Sequence, residues 1–228
     1  MTDIVKNLEG VNARIQEACT AAGRAREEVE LVAVSKRKPK EAIQEALEAG
    51  HLLMGENRVQ EVMQKQPDLP SVLRWHLIGH LQSNKVKHAL HCRFELIHSV
   101  DSVKLLQAID RQAGEEGWMQ SILLQVNVAG DGAKFGFKPE EVPAALDVCN
   151  LCRNLDVQGL MTLPPLTQDP HDVAPYFAQL RELRDQCSEE SGFELPHLSM
   201  GMSRDLEVAV QEGSTLVRVG TDIFGARI

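Results

Sequence analysis

One lysine stands where an amine can do chemistry. The apolar run Leu31, Val32, Ala33 and Val34 leads directly into Ser35 and Lys36. If that run is a strand, alternation puts Val32, Val34 and Lys36 on one face. Where that face lines an enclosed interior, Lys36 projects into its open end. Partial loss of water there disfavours the ammonium form and frees the neutral amine as a nucleophile. A neutral amine so placed condenses with an aldehyde to a Schiff base. By itself the segment reads more readily as a surface lysine between solvated neighbours, Arg37 and Lys38.

The C-terminal part supplies residues suited to an anion. Met200, Gly201, Met202 and Ser203 follow one apolar run, and Gly220 and Thr221 follow another. Ser203 reads as the N-cap of a helix, and helix N-termini attract anions. Gly220 lets the backbone come close to a ligand, and Thr221 offers a hydroxyl and an N–H. A plain helix cap and a tight turn account for the same residues. Arg218 shares a face with Gly220; if it points inward it needs a partner, and a phosphate or a ring nitrogen would serve. An outer salt bridge is the other reading. Asn57 and His80 close two further apolar runs. His76 and His80 lack a third ligand, so no metal site is expected. Cys149 and Cys152 fall at the end of a helical stretch and read as ordinary half-buried thiols. Lys134 either reaches the same mouth or decorates a loop.

These residues need a frame that gathers them. Apolar runs recur at Leu31–Val34, Leu52–Met54, Trp75–Ile78, Phe94–Ile97, Ile122–Val128, Val157–Leu163, Leu198–Met200 and Thr215–Val219, with helical stretches between them. That alternation implies parallel pairing, and eight strands close a barrel. The expected fold is therefore a single α/β domain over 1–228, a (β/α)8 TIM-type barrel with an extra N-terminal helix; an open doubly wound sheet is the competitor. Ile4, Leu8, Val11, Ile15 and Ala18 give that extra helix its apolar stripe. It takes the place of the helix for which little chain remains after the eighth run. Strand C-termini carry function in such barrels, and the loops after strands seven and eight hold phosphate.

The 228 residues carry a net charge of −9, which repels nucleic acid and anionic membrane, so any phosphate site must be local. Five cysteines and no signal-like N-terminus suggest a reducing cytoplasm. No apolar run approaches a membrane span, and no exposed apolar patch signals an oligomer, so a monomer is expected.

Longer motifs carry a resemblance: AVSK at 33–36, GENRVQE at 55–61, WHLIGHLQSNK at 75–85, HSVDS at 98–102, GLMTLPP at 159–165, LSMGMSRD at 198–205 and GSTLVRVGTDIFGAR at 213–227. In these the chain resembles the pyridoxal phosphate homeostasis proteins of the YggS/PROSC type. The resemblance implies a fold similar to the N-terminal barrel of bacterial alanine racemase and pyridoxal 5′-phosphate on Lys36 as a Schiff base. It implies phosphate contacts from Ser203, Gly220 and Thr221, with Arg218 near the phosphate or the ring. Asn57, His80 and Met200 are implied as lining residues. Arg37 stands where a small polar residue is commoner, and Ile228 follows Arg227 directly. The implied role is a carrier or buffer that serves cofactor-dependent apoenzymes transiently, with no catalytic residue of its own. An amino-acid racemase is the competing reading and a class I aldolase a third. A racemase needs a base on each face of the substrate carbon, and little chain follows the eighth run to supply the second.

Overall fold

The protein is described by a computed structural model covering residues 3–132 and 134–226. The departure at Arg227 and Ile228 lies outside them. Helix α1 spans Ile4–Ala21, with Ile4, Leu8, Val11, Ile15 and Ala18 buried along one stripe. Asp3 caps it by accepting the Lys6 N–H at 3.0 Å.

Eight parallel strands follow, β1 (Glu30–Val34), β2 (Leu53–Glu56), β3 (Arg74–Leu77), β4 (Leu96–Val100), β5 (Gln120–Gln125), β6 (Leu155–Met161), β7 (His197–Ser199) and β8 (Leu216–Val219). Each pairs with the next, and β8 returns to β1 with Val32 opposite Arg218, so the sheet closes. The expected barrel is what the chain forms. Strands covered on both faces read as continuous apolar runs, which is why they were visible in sequence. Their ends were less visible, because pairing sets them. Gly55 and Glu56 belong to β2 since they pair with His76 and Leu77, while Phe94 is core that precedes β4.

Helices α2 (Lys40–Glu48), α3 (Val59–Lys65), α4 (Val86–His91), α5 (Val103–Glu116), α6 (Val142–Cys149), α7 (Ala174–Ser191), α8 (Leu206–Gln211) and α9 (Thr221–Phe224) ring the sheet. Since α9 has only four residues, α1 takes the missing place and packs on α2, α8 and α9. One apolar cluster fills the space between sheet and helices. A second, of Val32, Leu53, Leu96, Leu123, Met161 and Leu216, fills the barrel interior. Gly55 is required there, because a Cβ would stand 2.7 Å from Val32 Cγ1. Above that apolar floor the upper interior is free to carry polar groups. No described helix is long and apolar enough to cross a membrane.

Candidate functional site

A cavity of about 430 Å³ opens at the C-terminal ends of the strands. Lys36, Asn57, Ser203, Arg218, Gly220 and Thr221 all line it. Val34, Ile78, Leu163, Pro165 and Met202 give it apolar walls. Among the described residues its charged lining is Lys36, Lys38, Arg204 and Arg218 against Asp205. In a chain of net charge −9 that local excess of cations favours an anionic ligand.

The lysine loop is pinned on both sides of Lys36. Alternation along β1 carries Val32 and Val34 inward and so delivers Lys36 to the cavity. Ser35 extends the ladder through its N–H to the Gly55 carbonyl at 3.0 Å. Its hydroxyl donates to Glu56 Oε1 at 2.8 Å. Lys65 Nζ donates to the same oxygen at 2.6 Å and to the Ser35 carbonyl at 3.1 Å. Burial pushes the Glu56 carboxyl up, and the Lys65 and Ser35 bonds pull it back. On the far side, Arg37 adopts φ +58° and donates its N–H to Glu61 Oε2 at 2.7 Å. Lys38 is also spent, its Nζ donating to the Phe224 carbonyl at 2.6 Å at the end of α9.

The anion end differs from expectation in one respect. Ser203 is not a helix cap: α8 begins at Leu206, with Asp205 before it. The reason is a tight turn over 202–205, in which Asp205 Oδ1 accepts the Met202 N–H at 2.6 Å and the Asp205 N–H returns to the Met202 carbonyl at 3.2 Å. That turn holds Ser203 and Arg204 at the cavity wall. Opposite them, Gly220 packs so close to β1 that a Cβ would lie 3.2 Å from the Val34 carbonyl.

Arg218 points inward and is 3% exposed. Its guanidinium donates to Ser199 Oγ and, at 3.0 Å, to the Thr162 carbonyl. Burial pushes its pKa down to about 10, against the opposing charge of Asp205. Ser199 in turn meets His98 Nδ1 at 2.8 Å, and His98 Nε2 meets His76 Nδ1 at 2.9 Å. Arginine can only donate. The arrangement that leaves no hydroxyl proton unpaired then has Ser199 donating to His98 Nδ1, and His98 donating from Nε2 to His76. A proton added at His98 Nδ1 would face that hydroxyl proton and break the column.

Burial holds His98 well below its ordinary 6.5, and lowers His51 and His197 as well. As pH falls below about 6.5 the unfolded chain takes up protons that the fold refuses, at most about 1.4 kcal/mol per pH unit for each such group. Thermal melts at pH 7.5 and 5.5 are therefore expected to show lower stability at 5.5, with a shallower decline in His98→Gln. Equal slopes in the two proteins would mean that His98 titrates freely in the fold.

The two remaining expected residues do not line the cavity. Met200 follows inward-facing Ser199, so alternation turns it outward into the core under the helices. Met202, two residues on, lines the cavity instead. His80 stands on the rim, its ring stacked 3.8 Å from that of Phe135 and its Nδ1 2.8 Å from Asp101 Oδ2. Lys134 does not line the cavity; it ties its own loop to the β6–α7 loop, donating to the Pro164 carbonyl at 3.1 Å. Cys149 is a buried thiol pushed up to about 12 by desolvation, and Cys152 is half-buried. The sequence reading missed the wall that the β6–α7 loop builds from Leu163, Pro165, Leu166 and Pro170. The paired prolines after β6 were its available signal, since proline stiffens a loop and cannot extend a ladder.

Residues 7–228 match the family model described as alanine racemase, N-terminal domain. A pyridoxal phosphate homeostasis protein of Aquifex aeolicus is 45% identical over 97% of both chains. One from Pseudomonas aeruginosa is 43% identical over all of this chain and 97% of its own. The solved structure of PipY from Synechococcus elongatus PCC7942, with PLP bound, superposes with a TM-score of 0.85 at 38% identity, over 97% of this chain and 100% of that one. The match spans the whole barrel and every strand end that lines the cavity. This chain therefore belongs to the pyridoxal phosphate homeostasis proteins, built on the alanine racemase N-terminal domain.

Proposed function

We propose that this protein holds pyridoxal 5′-phosphate covalently on Lys36 and hands it to apoenzymes that need it, acting as a carrier and not as a dedicated catalyst. The observation that carries the reading is one cavity with an amine and a cationic, hydroxyl-bearing cradle on its walls. The cofactor supplies an aldehyde, which condenses with an amine with loss of water, and a phosphate. Lys36 Nζ gives the lone pair for that bond. Ser203, Gly220 and Thr221 offer hydroxyls and close backbone to the phosphate. Arg218 brings a charge that nothing bonded to it neutralises. Asn57 Oδ1, buried and without a partner, is an acceptor left for a ligand. Val34 and Ile78 are walls suited to a flat ring. PLP in the PipY structure supports the same ligand here.

The carrier reading is favoured over a racemase by what the cavity offers for proton transfer. Its titratable lining is Lys36, Lys38, Arg204, Asp205 and Arg218, with no histidine, tyrosine or cysteine among the described residues. Asp205 is tied to the Met202 N–H, and Lys38 to α9. Among the described lining residues no second base is placed to face Lys36 across a substrate carbon.

The test has two arms. Loaded protein is placed with a cofactor-free aminotransferase, mixed or separated by a dialysis membrane, and recovery of aminotransferase activity is followed. Recovery supports the carrier. In parallel, incubation with D- and L-alanine is expected to leave each enantiomer unchanged; sustained racemisation would replace this reading by that of an enzyme. Ser203→Ala is expected to weaken cofactor retention by roughly 1 kcal/mol or somewhat more, the worth of one hydrogen bond to a charged group, read by equilibrium dialysis.

A further inference from the structure

Arg14 reaches the anion end of the cavity from behind. It lies on α1 and does not line the cavity. Its Nε donates to Glu207 Oε1 at 2.7 Å and its Nη1 to Asp222 Oδ2 at 2.6 Å. Its Nη2 donates to the Ser203 carbonyl at 2.8 Å and to Glu207 Oε2 at 3.1 Å. One guanidinium thus ties together the 202–205 turn, α8 and α9, the segments that carry Ser203 and Thr221.

Paired surface charges are ordinarily worth little. The bond to the Ser203 carbonyl is different in kind, because it fixes a peptide plane. That peptide is trans, and in a trans peptide the N–H points opposite to the C=O. With the Ser203 carbonyl turned back toward Arg14, the Arg204 N–H is turned away from α1, and Arg204 lines the cavity. That N–H meets no acceptor among the described residues. Arg204 is an exposed residue, so water can pair with that N–H until a ligand oxygen takes its place. Here the orphan donor belongs to the turn that carries Ser203.

We propose that Arg14 is a positioning residue for the phosphate: it aims the Arg204 N–H into the cavity and sets the spacing of Ser203 from Thr221, without touching the ligand. The inference rests on the reading of Ser203, Gly220 and Thr221 as the phosphate cradle. It predicts an effect confined to the phosphate half of the ligand. The carbonyl chemistry at Lys36 depends on Ser35, Glu56, Lys65 and Glu61, and none of these contacts Arg14.

Dissociation constants for pyridoxal 5′-phosphate and for pyridoxal, which lacks the phosphate, are measured by equilibrium dialysis on the full chain and on Arg14→Met. The wild type is expected to prefer the phosphorylated form. In Arg14→Met that preference is expected to fall about tenfold, with pyridoxal affinity unchanged. Arg14→Lys keeps the charge but loses the planar fork, and is expected to behave like Arg14→Met. A wild-type preference retained in Arg14→Met overturns the inference, as does an equal loss for both ligands, which marks a merely structural role. A wild type that holds both ligands equally well overturns the cradle reading itself. Should Arg14→Met fail to fold, Asp222→Asn and Glu207→Gln loosen one arm each and are read by the same ratio; an undiminished preference in both overturns the proposal.

Discussion

Lys36→Ala is expected to abolish the borohydride-fixable attachment of pyridoxal 5′-phosphate and the yellow colour that goes with it, while leaving weak, dialysable binding through the cradle. The loss should be complete because the neighbouring amine cannot substitute. Lys38 also lines the cavity, yet its Nζ is bonded to the Phe224 and Ala226 carbonyls at 2.6 and 3.0 Å. Moving it would uncap α9 and disturb Thr221. Lys65 is committed to Glu56 and Glu61. The checking measurement is intact-protein and peptide mass after borohydride reduction, on wild type and variant. Cofactor mass fixed in the Lys36→Ala protein at any lysine, or an unchanged visible band, would remove the central assignment.

Arg218→Met is expected to separate stability from binding. The guanidinium is buried, its bonds go to the neutral Ser199 and Thr162, and burial pushes its pKa from 12.5 down to about 10. A depression of that size corresponds to a charging penalty on the order of 3 kcal/mol in the ligand-free fold. An apolar side chain of similar length removes the penalty, which offsets the roughly 1–3 kcal/mol lost where the buried Thr162 carbonyl and Ser199 hydroxyl lose their donor. It also removes the cation that would meet the phosphate or ring nitrogen, a charge-assisted bond worth about 1.5–3 kcal/mol. The variant is therefore expected to melt no lower than wild type without ligand, and to gain less from saturating pyridoxal 5′-phosphate, since ligand stabilisation follows affinity. Differential scanning fluorimetry with and without cofactor measures both. A variant that melts well below wild type yet keeps the full ligand-induced shift would show that Arg218 serves the fold alone.

The two variants probe different parts of one design. Lys36 sits on a loop held rigid from the β2–α3 side, and Arg218 on a column that crosses the barrel to β3 and β4. Rigid support on both sides lets a small cavity keep its amine and its cation in fixed places. The proposed carrier role would ask for no more than that, together with a mouth open enough for release.

What the sequence determined by itself was whatever depends on short-range period. Strand alternation placed Val32, Val34 and Lys36 on one face, and it equally placed Arg218 and Gly220. Eight apolar runs with helices between them gave the barrel, and the apolar stripe from Ile4 to Ala18 gave α1. The tertiary structure alone decided what depends on register and closure. It turned Met200 out and brought Met202 in, because Ser199 took the inward position on β7. It moved the start of α8 past Ser203, because the Asp205 side chain closed a turn instead. It assembled His76, His98, Ser199 and Arg218 from four strands, and bound Arg14 to Ser203 and Asp222, 189 and 208 residues away. Periodicity reports which way a side chain points from its own strand or helix. Which side chains it then meets is fixed only when the sheet closes and distant segments come into register.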